Sequence, residues 1–321
     1  MKVVRIHRFG GPEVMQIEEV PDPRPGHGEV VVKVHAAGVN FIDVYHRSGA
    51  YPGELPRRLG QEGAGTVEAL GPDVEGVRVG DRVAWVNVNG SYAERMVVPA
   101  ERLVPVPDGV GLETAAAAML QGMTAHYLAH STHPIASGES CLVHAAAGGV
   151  GALLVQMAKR RGAIVYATCS AAKRHVAEAA GADHVIAYDQ QDFVAEVKRL
   201  TGGAGVRVVY DSVGKATFAG SLDVLQPRGL LALFGQSSGP VPPLDLQVLN
   251  RKGSLFVTRP NLAHYTLDRR ELLERADDLF RWIASGELTL RIDDILPLAD
   301  VQEAHRRLEG RQTHGKLVLL P

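Results

Sequence analysis

The segment Val143-His144-Ala145-Ala146-Ala147-Gly148-Gly149-Val150-Gly151 contains the residue types that a phosphate requires. It follows an apolar, strand-like run and opens a helical pattern. A pyrophosphate needs free backbone N–H groups at a helix N-terminus and no side chains in their way. Gly148 permits the close approach, and Gly151 lets helix and strand pack. Ala146 stands where a G-x-G-x-x-G turn has its first glycine. The spacing predicts a dinucleotide cradle at Ala147, Gly148, Gly149 and Val150. The alternative is a tight turn without a ligand.

The end of the next strand selects the dinucleotide. An NAD site usually has Asp or Glu about 20 residues beyond the glycine turn, on the ribose hydroxyls. Here that strand ends Ala167-Thr168-Cys169-Ser170, followed by Lys173 and Arg174. An acid would repel a 2′-phosphate, whereas Ser170 and Lys173 would bind one through hydrogen bonds and charge. The pattern favours NADPH over NADH. The competing reading makes Lys173 and Arg174 a solvated helix face. Cys169 reads as a small core residue, not a redox centre.

These residues need an alternating scaffold, and the sequence supplies one. Apolar runs recur at Cys141–Ala145, Ala163–Thr168, His184–Ala187, Val206–Tyr210, Leu230–Phe234 and Ser254–Thr258, with helical patterns in most gaps. Val150, Leu153, Leu154, Met157 and Ala158 follow the i, i+3, i+4, i+7, i+8 stripe. Phe193, Val197 and Leu200 share a helical face that stops at Gly202-Gly203. Strands alternating with helices predict parallel βαβ units and a doubly wound sheet. The first 110 or so residues differ, with short strands at Val30–Val34, Asp81–Val86 and Tyr92–Val98 among frequent turns, which suggests a β-barrel-like unit. Glu113–His130 reads as a helix. In the tail, Asp268 and Asp300 each precede a Glu by three residues, a capping-box-like start. Leu272, Ala276, Leu279 and Ile283 form a helical face, and Lys316–Leu320 reads as a strand.

Composition limits the function classes. The chain has 321 residues, 45% apolar and 22% charged, enough for a folded core of about two domains. Lys+Arg 34 against Asp+Glu 36 gives no global electrostatic reason to bind nucleic acid or an anionic membrane. Ser140–Ala158 lacks formal charge, but its central glycines read as strand, turn and helix rather than a membrane span. No apolar h-region follows Met1, so no secretory signal is expected. Two cysteines, Cys141 and Cys169, exclude a disulfide scaffold and a four-cysteine zinc lobe. They suit a reducing cytoplasm. His126 and His130 have i, i+4 spacing but no accompanying acid, so no metal site is expected.

Longer motifs carry a resemblance. Ala36-Ala37-Gly38-Val39-Asn40-Phe41-Ile42-Asp43 and Gly60-Gln61-Glu62-Gly63-Ala64-Gly65 look like the medium-chain dehydrogenase/reductase superfamily. Tyr45, Ser48-Gly49, Tyr51-Pro52, His144–Gly151, Tyr210-Asp211-Ser212-Val213-Gly214 and Val257-Thr258-Arg259-Pro260 narrow it. The chain resembles the zinc-free NADPH:quinone oxidoreductases, the zeta-crystallin-like branch, over nearly its whole length. This implies an α/β protein with a GroES-like β-barrel catalytic domain, 1–120 and 262–321, split around a doubly wound parallel-sheet Rossmann domain, 121–261, that binds NADPH. Zinc-dependent relatives carry a Cys in the segment matching Ala36–Asp43 and a His where Gln61 stands. Both are absent here.

The same resemblance implies site residues. Asn40, Tyr45 and Tyr51 are implied to line the substrate cleft beside the nicotinamide. Asn40 would bond the substrate oxygen or the cofactor ribose, and either tyrosine would donate a proton or stack on a flat ring. Tyr51 also reads as a turn aromatic before Pro52. Asp43 stays open between a polar cleft residue and a cap. Lys173, Tyr188 and Arg311 are implied at the 2′-phosphate. Ser212, Phe234, Gly235, Phe256 and Thr258 lie at or near later strand ends and are implied along the nicotinamide half. Gln121 and Thr124 face the nicotinamide or pack in the core. Leu255-Phe256-Val257 forms an apolar edge that needs cover, and in the resembled family it pairs across a dimer two-fold, implying a homodimer. Without a Lewis acid, alcohol chemistry is poorly supported, whereas quinones and enones accept hydride directly. The expectation is a cytoplasmic NADPH-dependent quinone reductase, with an enone or 2-alkenal reductase, or less favoured a cofactor-regulated RNA-binding protein, as alternatives.

Overall fold

The computed structural model describes residues 1–321, which divide into two units, Met1–Met123 with Thr266–Pro321, and Thr124–Tyr265. The first unit begins with strands β1 (Lys2–Ile6), β2 (Gln16–Glu19) and β3 (Glu29–Gly38), helix α1 (Phe41–Ser48), and strands β4 (Arg57–Arg58), β5 (Glu62–Leu70), β6 (Arg82–Val86), β7 (Arg95–Pro99) and β8 (Val104–Pro105). Helix α2 (Leu112–Tyr127) follows. The unit resumes with α8 (Arg269–Ala284), β15 (Ile292–Pro297), α9 (Val301–Glu309) and β16 (Lys316–Leu320), where the intervening numbers belong to the second unit. One sheet runs β15-β16-β3-β5-β6-β8 with β7 also on β3, and β2-β1-β4 forms a second sheet. Their core includes Val32, Trp85, Met96, Leu317 and Leu319. The Trp85 indole N–H donates to Ser91 Oγ at 2.9 Å, so the largest buried ring leaves no donor unpaired.

The second unit carries β9 (Ser140–Val143), α3 (Gly149–Arg160), β10 (Ile164–Cys169), α4 (Arg174–Ala179), β11 (His184–Ala187), α5 (Phe193–Leu200), β12 (Val206–Asp211), α6 (Phe218–Asp223), β13 (Leu225–Leu233), α7 (Gln247–Arg251) and β14 (Phe256–Thr258). Its six strands are all parallel, in the order β11-β10-β9-β12-β13-β14. This is the doubly wound dinucleotide-binding order, 3-2-1-4-5-6, which reverses between β9 and β12. In such sheets, ligands bind outside the carboxyl ends of the strands at the reversal. The glycine turn leaves β9 and Ser212 leaves β12, so both stand at that point.

Local chemistry explains most element ends. The Asp268 side chain accepts the Glu271 N–H at 2.8 Å and starts α8, and Gly49 at φ 82° ends α1 in the left-handed conformation. Four expectations change. The helix from residue 112 ends at Tyr127, and Leu128–Thr132 widens into a π-helical turn. Asp300 makes no side-chain cap; it ends a one-turn 3₁₀ helix at Leu298–Asp300. Strand β13 starts at Leu225, before the expected Leu230, because a bulge carries Pro227 and Gly229 between its two paired stretches. Strand β14 starts at Phe256, because Ser254 takes φ 57°.

Gly151 fixes how closely α3 packs on β9. A Cβ there would lie 2.3 Å from the Ala145 carbonyl oxygen and 2.8 Å from Ala146 Cα, both backbone atoms that cannot swing aside. Gly151→Ala is therefore expected to lose about 1–3 kcal/mol. Gly109→Ala, where a Cβ meets nothing within 4 Å, should stay within about 0.5 kcal/mol of wild type. Thermal unfolding followed by circular dichroism measures both.

Candidate cofactor and substrate site

In the second unit, the turn after β9 is built around Ala145, which takes φ 50° and accepts the Gly148 N–H at 2.8 Å. Gly148 at the N-cap of α3 offers no side chain to the first turn. The N–H groups of Gly149, Val150 and Gly151 have no intrahelical acceptor. Gly148 is exposed, and Gly149 and Val150 are half-buried. A Cβ at Gly148 would meet only the Ala145 oxygen, at 3.1 Å. Open N–H groups, a positive helix end and no side chains form a fitting seat for a pyrophosphate. Ala147 lies beneath it, buried.

A buried polar network supports this turn and the one after β12. Asp211 Oδ1 accepts the N–H groups of Val213 at 2.8 Å and Gly214 at 3.0 Å. Its Oδ2 accepts the hydroxyls of Thr217 at 2.7 Å and Ser221 at 3.0 Å. Ser221 spends its proton on Asp211, so His144 Nε2 donates to Ser221 Oγ at 3.0 Å. His144 Nδ1 then accepts from Thr168 Oγ1 at 2.9 Å, which assigns the tautomer from the network. Burial pushes the His144 pKa down, against the pull of Asp211, and the ring is neutral. Gly235 packs on Ser212, where a Cβ would lie 2.5 Å from the Ser212 oxygen, and the Phe234 N–H donates to the Asp211 carbonyl at 2.8 Å. Ser212, Phe234 and Gly235 therefore come together. His144 and Asp211 lie within recognisable motifs, but no local signal marks their role, because their partners lie far away in the chain.

At the ends of β10 and β11, Ser170, Lys173 and Tyr188 also come together. The Tyr188 N–H donates to the Cys169 carbonyl at 3.1 Å, and the Lys173 N–H to the Ser170 carbonyl at 3.0 Å. Tyr188 is 47% exposed. An acid does stand here, brought in by the third strand: Asp189 accepts the Ala171 N–H at 3.0 Å, so its carboxylate caps the turn. Arg174 is engaged with Glu178 at 2.8 Å. Thr258 ends β14, and Phe256, two residues earlier on the same face, is 59% exposed. Thr124 on α2 is buried.

In the first unit, Asn40 stands at the N-cap of α1 and is 3% exposed. Its side chain is fully engaged. Nδ2 donates to Glu62 Oε1 at 2.7 Å and, loosely, to the Gly38 carbonyl at 3.4 Å. Oδ1 accepts from Lys316 Nζ at 2.6 Å and from Gln121 Nε2 at 3.4 Å. Lys316 and Glu62 pair directly, both 0% exposed. Burial pushes the Lys316 ammonium below its usual range, and Glu62 pulls it back. The second Glu62 oxygen accepts the Leu120 N–H at 2.5 Å. Gln121 Oε1 is buried without a partner. Glu62 lies in a motif quoted from the sequence, but no sequence signal marked Lys316.

Asp43 is a cap: Oδ2 accepts the Asn40 N–H at 2.9 Å and the Tyr92 hydroxyl at 3.0 Å, while Oδ1 is buried without a partner. Tyr92 continues to His305 Nε2 at 3.4 Å, and His305 Nδ1 accepts from Arg47 at 3.0 Å. Tyr45 and Tyr51 pack with centroids 5.0 Å apart, and His46 meets Tyr51 at 5.9 Å, giving a half-buried aromatic face suited to a flat ring. Burial and Arg57 push the His46 pKa down to about 4. Arg311 is exposed beyond α9. The Gln61 amide donates to Asn89 at 3.0 Å and reaches His46 at 3.4 Å. No group of three or more His, Cys, Asp or Glu could hold a metal ion. Cys141 and Cys169 are buried free thiols on β9 and β10, and burial raises the Cys141 pKa to about 12.

Desolvation is the main cause that raises Asp43 to about 7, and the Tyr92 and Asn40 hydrogen bonds oppose it. Folded Asp43 therefore holds its proton more tightly than an unfolded carboxyl of pKa 3.8. Its contribution to stability is complete below that value and drains as the pH rises to about 7. Asp43→Asn should accordingly gain on wild type from pH 4 to pH 7, by on the order of 1–4 kcal/mol. Paired denaturant melts across that range measure the difference, and a flat difference contradicts the assignment.

The family described as alcohol dehydrogenase GroES-like domain matches residues 26–108, and the family described as zinc-binding dehydrogenase matches residues 180–319. A quinone oxidoreductase of Pseudomonas aeruginosa is 45% identical, over 100% of this chain and 99% of that protein. A 2-haloacrylate reductase of Burkholderia is 43% identical, over 98% of each. The crystal structure of Escherichia coli quinone oxidoreductase complexed with NADPH superposes with a TM-score of 0.98 at 44% identity, over 100% of both chains. No helix of this chain is long and apolar enough to cross a membrane. With full-length similarity in sequence and fold, and a glycine turn at the reversal of a parallel sheet, the chain belongs to the quinone oxidoreductase family of the medium-chain dehydrogenase/reductases.

Proposed function

We propose that this protein is a zinc-independent, NADPH-dependent quinone oxidoreductase. The observation that carries the reading is full-length similarity to quinone oxidoreductases in a chain with Gln61 at the position expected for a metal-binding His. The second unit is assigned the cofactor. Ala147, Gly148, Gly149 and Val150 hold the pyrophosphate, and Ser170, Lys173 and Tyr188 take the 2′-phosphate. Ser212, Phe234, Gly235, Phe256 and Thr258 serve the nicotinamide half, with Thr124 of α2. The first unit is assigned the substrate, with Tyr45 and Tyr51 stacking on its ring or donating a proton and Asn40 organising the site around them.

NADPH supplies the hydride when bound. Quinone, one hydride and one proton balance as hydroquinone, so the residues must position a flat acceptor, exclude water and admit a proton. No step needs a metal to polarise the carbonyl, because a quinone is already electron-poor. Reduction of an activated alkene is the second reading, favoured by the similarity to the 2-haloacrylate reductase.

Two free, buried cysteines accord with a cytoplasmic setting. The exposed edge of β14, with Phe256 59% exposed, supports a homodimer through this strand.

Three measurements test these readings. NADPH oxidation is followed with an ortho-quinone, a para-quinone, an enone and, in reverse, a primary alcohol. Quinone turnover that survives chelation is expected, and alcohol oxidation abolished by a chelator contradicts the proposal. Lys173→Ala should raise the KM for NADPH by about tenfold or more and leave NADH nearly unchanged. Sedimentation should give a dimer for wild type and a monomer for Phe256→Arg; a monomeric wild type removes the dimer.

A further inference from the structure

Strand β4 is only Arg57–Arg58, and it carries a charge that the fold leaves unanswered. An arginine head has five N–H donors and no acceptor. The head of Arg57 makes no hydrogen bond and no ion pair within the protein. Such a group ordinarily reaches out to water along its aliphatic stem. Arg57 is instead held against the chain. A Cβ at Gly53 would lie 2.2 Å from Arg57 Nη1 and 3.1 Å from Cζ, so the head lies on the bare backbone that follows Tyr51-Pro52. Nη1 is buried there without an acceptor. The residue as a whole is only half-buried, and Nε and Nη2 are not among the buried unpaired atoms. The Nε–Nη2 edge, one of the two edges that fit a carboxylate, therefore faces solvent with no protein partner.

The surroundings supply no full counter-charge. Asp43 acts on Arg57 through space without forming an ion pair, and burial raises its own carboxyl to about 7, so it is only partly ionised at neutral pH. Glu54, the nearest acid in the chain, is exposed and forms no ion pair with Arg57. His46 cannot share the positive charge, because burial and Arg57 hold it neutral, with a pKa of about 4.

Beside this head stands the aromatic face. Tyr51 meets Tyr45 with ring centroids 5.0 Å apart and His46 at 5.9 Å. All three are half-buried, and all belong with Arg57 to the first unit. A flat ring on that face that ends in an oxyanion would place the oxyanion beside the guanidinium. A carboxylate matches the arginine fork with two parallel hydrogen bonds, which a lysine could not reproduce.

We propose that Arg57 is a specificity residue of the first unit, through which the Tyr45–Tyr51 face selects quinones that carry a carboxylate-like oxyanion. The proposal rests on the assignment of that face to the substrate. A neutral quinone has the face alone, whereas an acidic quinone has the face and the fork together.

The test compares 2-naphthoate with 2-naphthamide, a neutral molecule of nearly the same shape. Calorimetry measures the binding of each to wild type, Arg57→Gln and Arg57→Lys, and steady-state kinetics measures competition with 9,10-phenanthrenequinone at saturating NADPH. Wild type should bind the naphthoate about tenfold more tightly than the amide. Arg57→Gln should bind the two within about twofold of each other. Arg57→Lys should keep an intermediate preference, since it retains the charge and loses the fork. The naphthoate should compete with the quinone. Arg57→Gln should melt no lower than wild type, because no protein contact is lost. Equal affinity of wild type for the two molecules, or a preference that survives in Arg57→Gln, overturns the proposal. Binding that depends on Arg57 but does not compete with the quinone also overturns it. If Arg57→Gln does not fold, the wild-type preference and its reduction in Arg57→Lys still decide. A wild type that reduces no quinone refutes the assigned activity itself, a result distinct from all of these.

Discussion

Taking a polar or charged group out of water costs more than a single contact returns, and this constraint organises both units. In the second, Asp211 gathers two N–H groups and two hydroxyls, and through Ser221 it settles the tautomer of a histidine at the base of the glycine turn. In the first, Lys316 and Glu62 neutralise each other and satisfy Asn40 and Leu120. The buried side-chain atoms left without partners are Asp43 Oδ1, Arg57 Nη1 and Gln121 Oε1. Asp43 holds the Asn40 N–H, Gln121 holds the Asn40 amide, and Arg57 acts electrostatically on Asp43 and His46. The exceptions to an otherwise satisfied interior thus gather around one helix start.

The legible parts of the sequence were those whose signal is local. The stripe of α3 and the apolar run of β16 need only neighbours in the chain, and the glycine turn needs only the strand before it and the helix after it. The hidden parts were set by partners far away. Lys316 and Glu62 are 254 residues apart, and His144 and Ser221 are 77 apart, so no window shows either pair. Asp189 escaped because it reaches the end of β10 from the next strand, while the motif looks for an acid on β10 itself. Leu225 was missed as the start of β13 because Pro227 and Gly229 are turn residues, here used inside a bulge. Asp300 has the spacing of a cap, yet a 3₁₀ turn placed its side chain elsewhere.

Asn40 shows how a motif and a structure can point at the same residue for different reasons. Read from the chain, it is an amide free to bond a ligand. In the fold, each end of that amide already has a protein partner. The proximity of a residue to a site does not settle which atom does the recognising.

The pairing of β16 with β3 has a further consequence for synthesis. Val318 and Leu319 sit opposite Gly38 and Ala37, and Lys316 meets Asn40 across 276 residues of chain. The ribosome therefore makes the whole of the second unit before it makes the strand that finishes the first. A nascent chain can complete its parallel sheet while β3 still waits, its end unpaired and the Glu62 carboxylate without its cation. The unit translated first is the one completed last, and during that interval its open strand end is what a chaperone would need to shield.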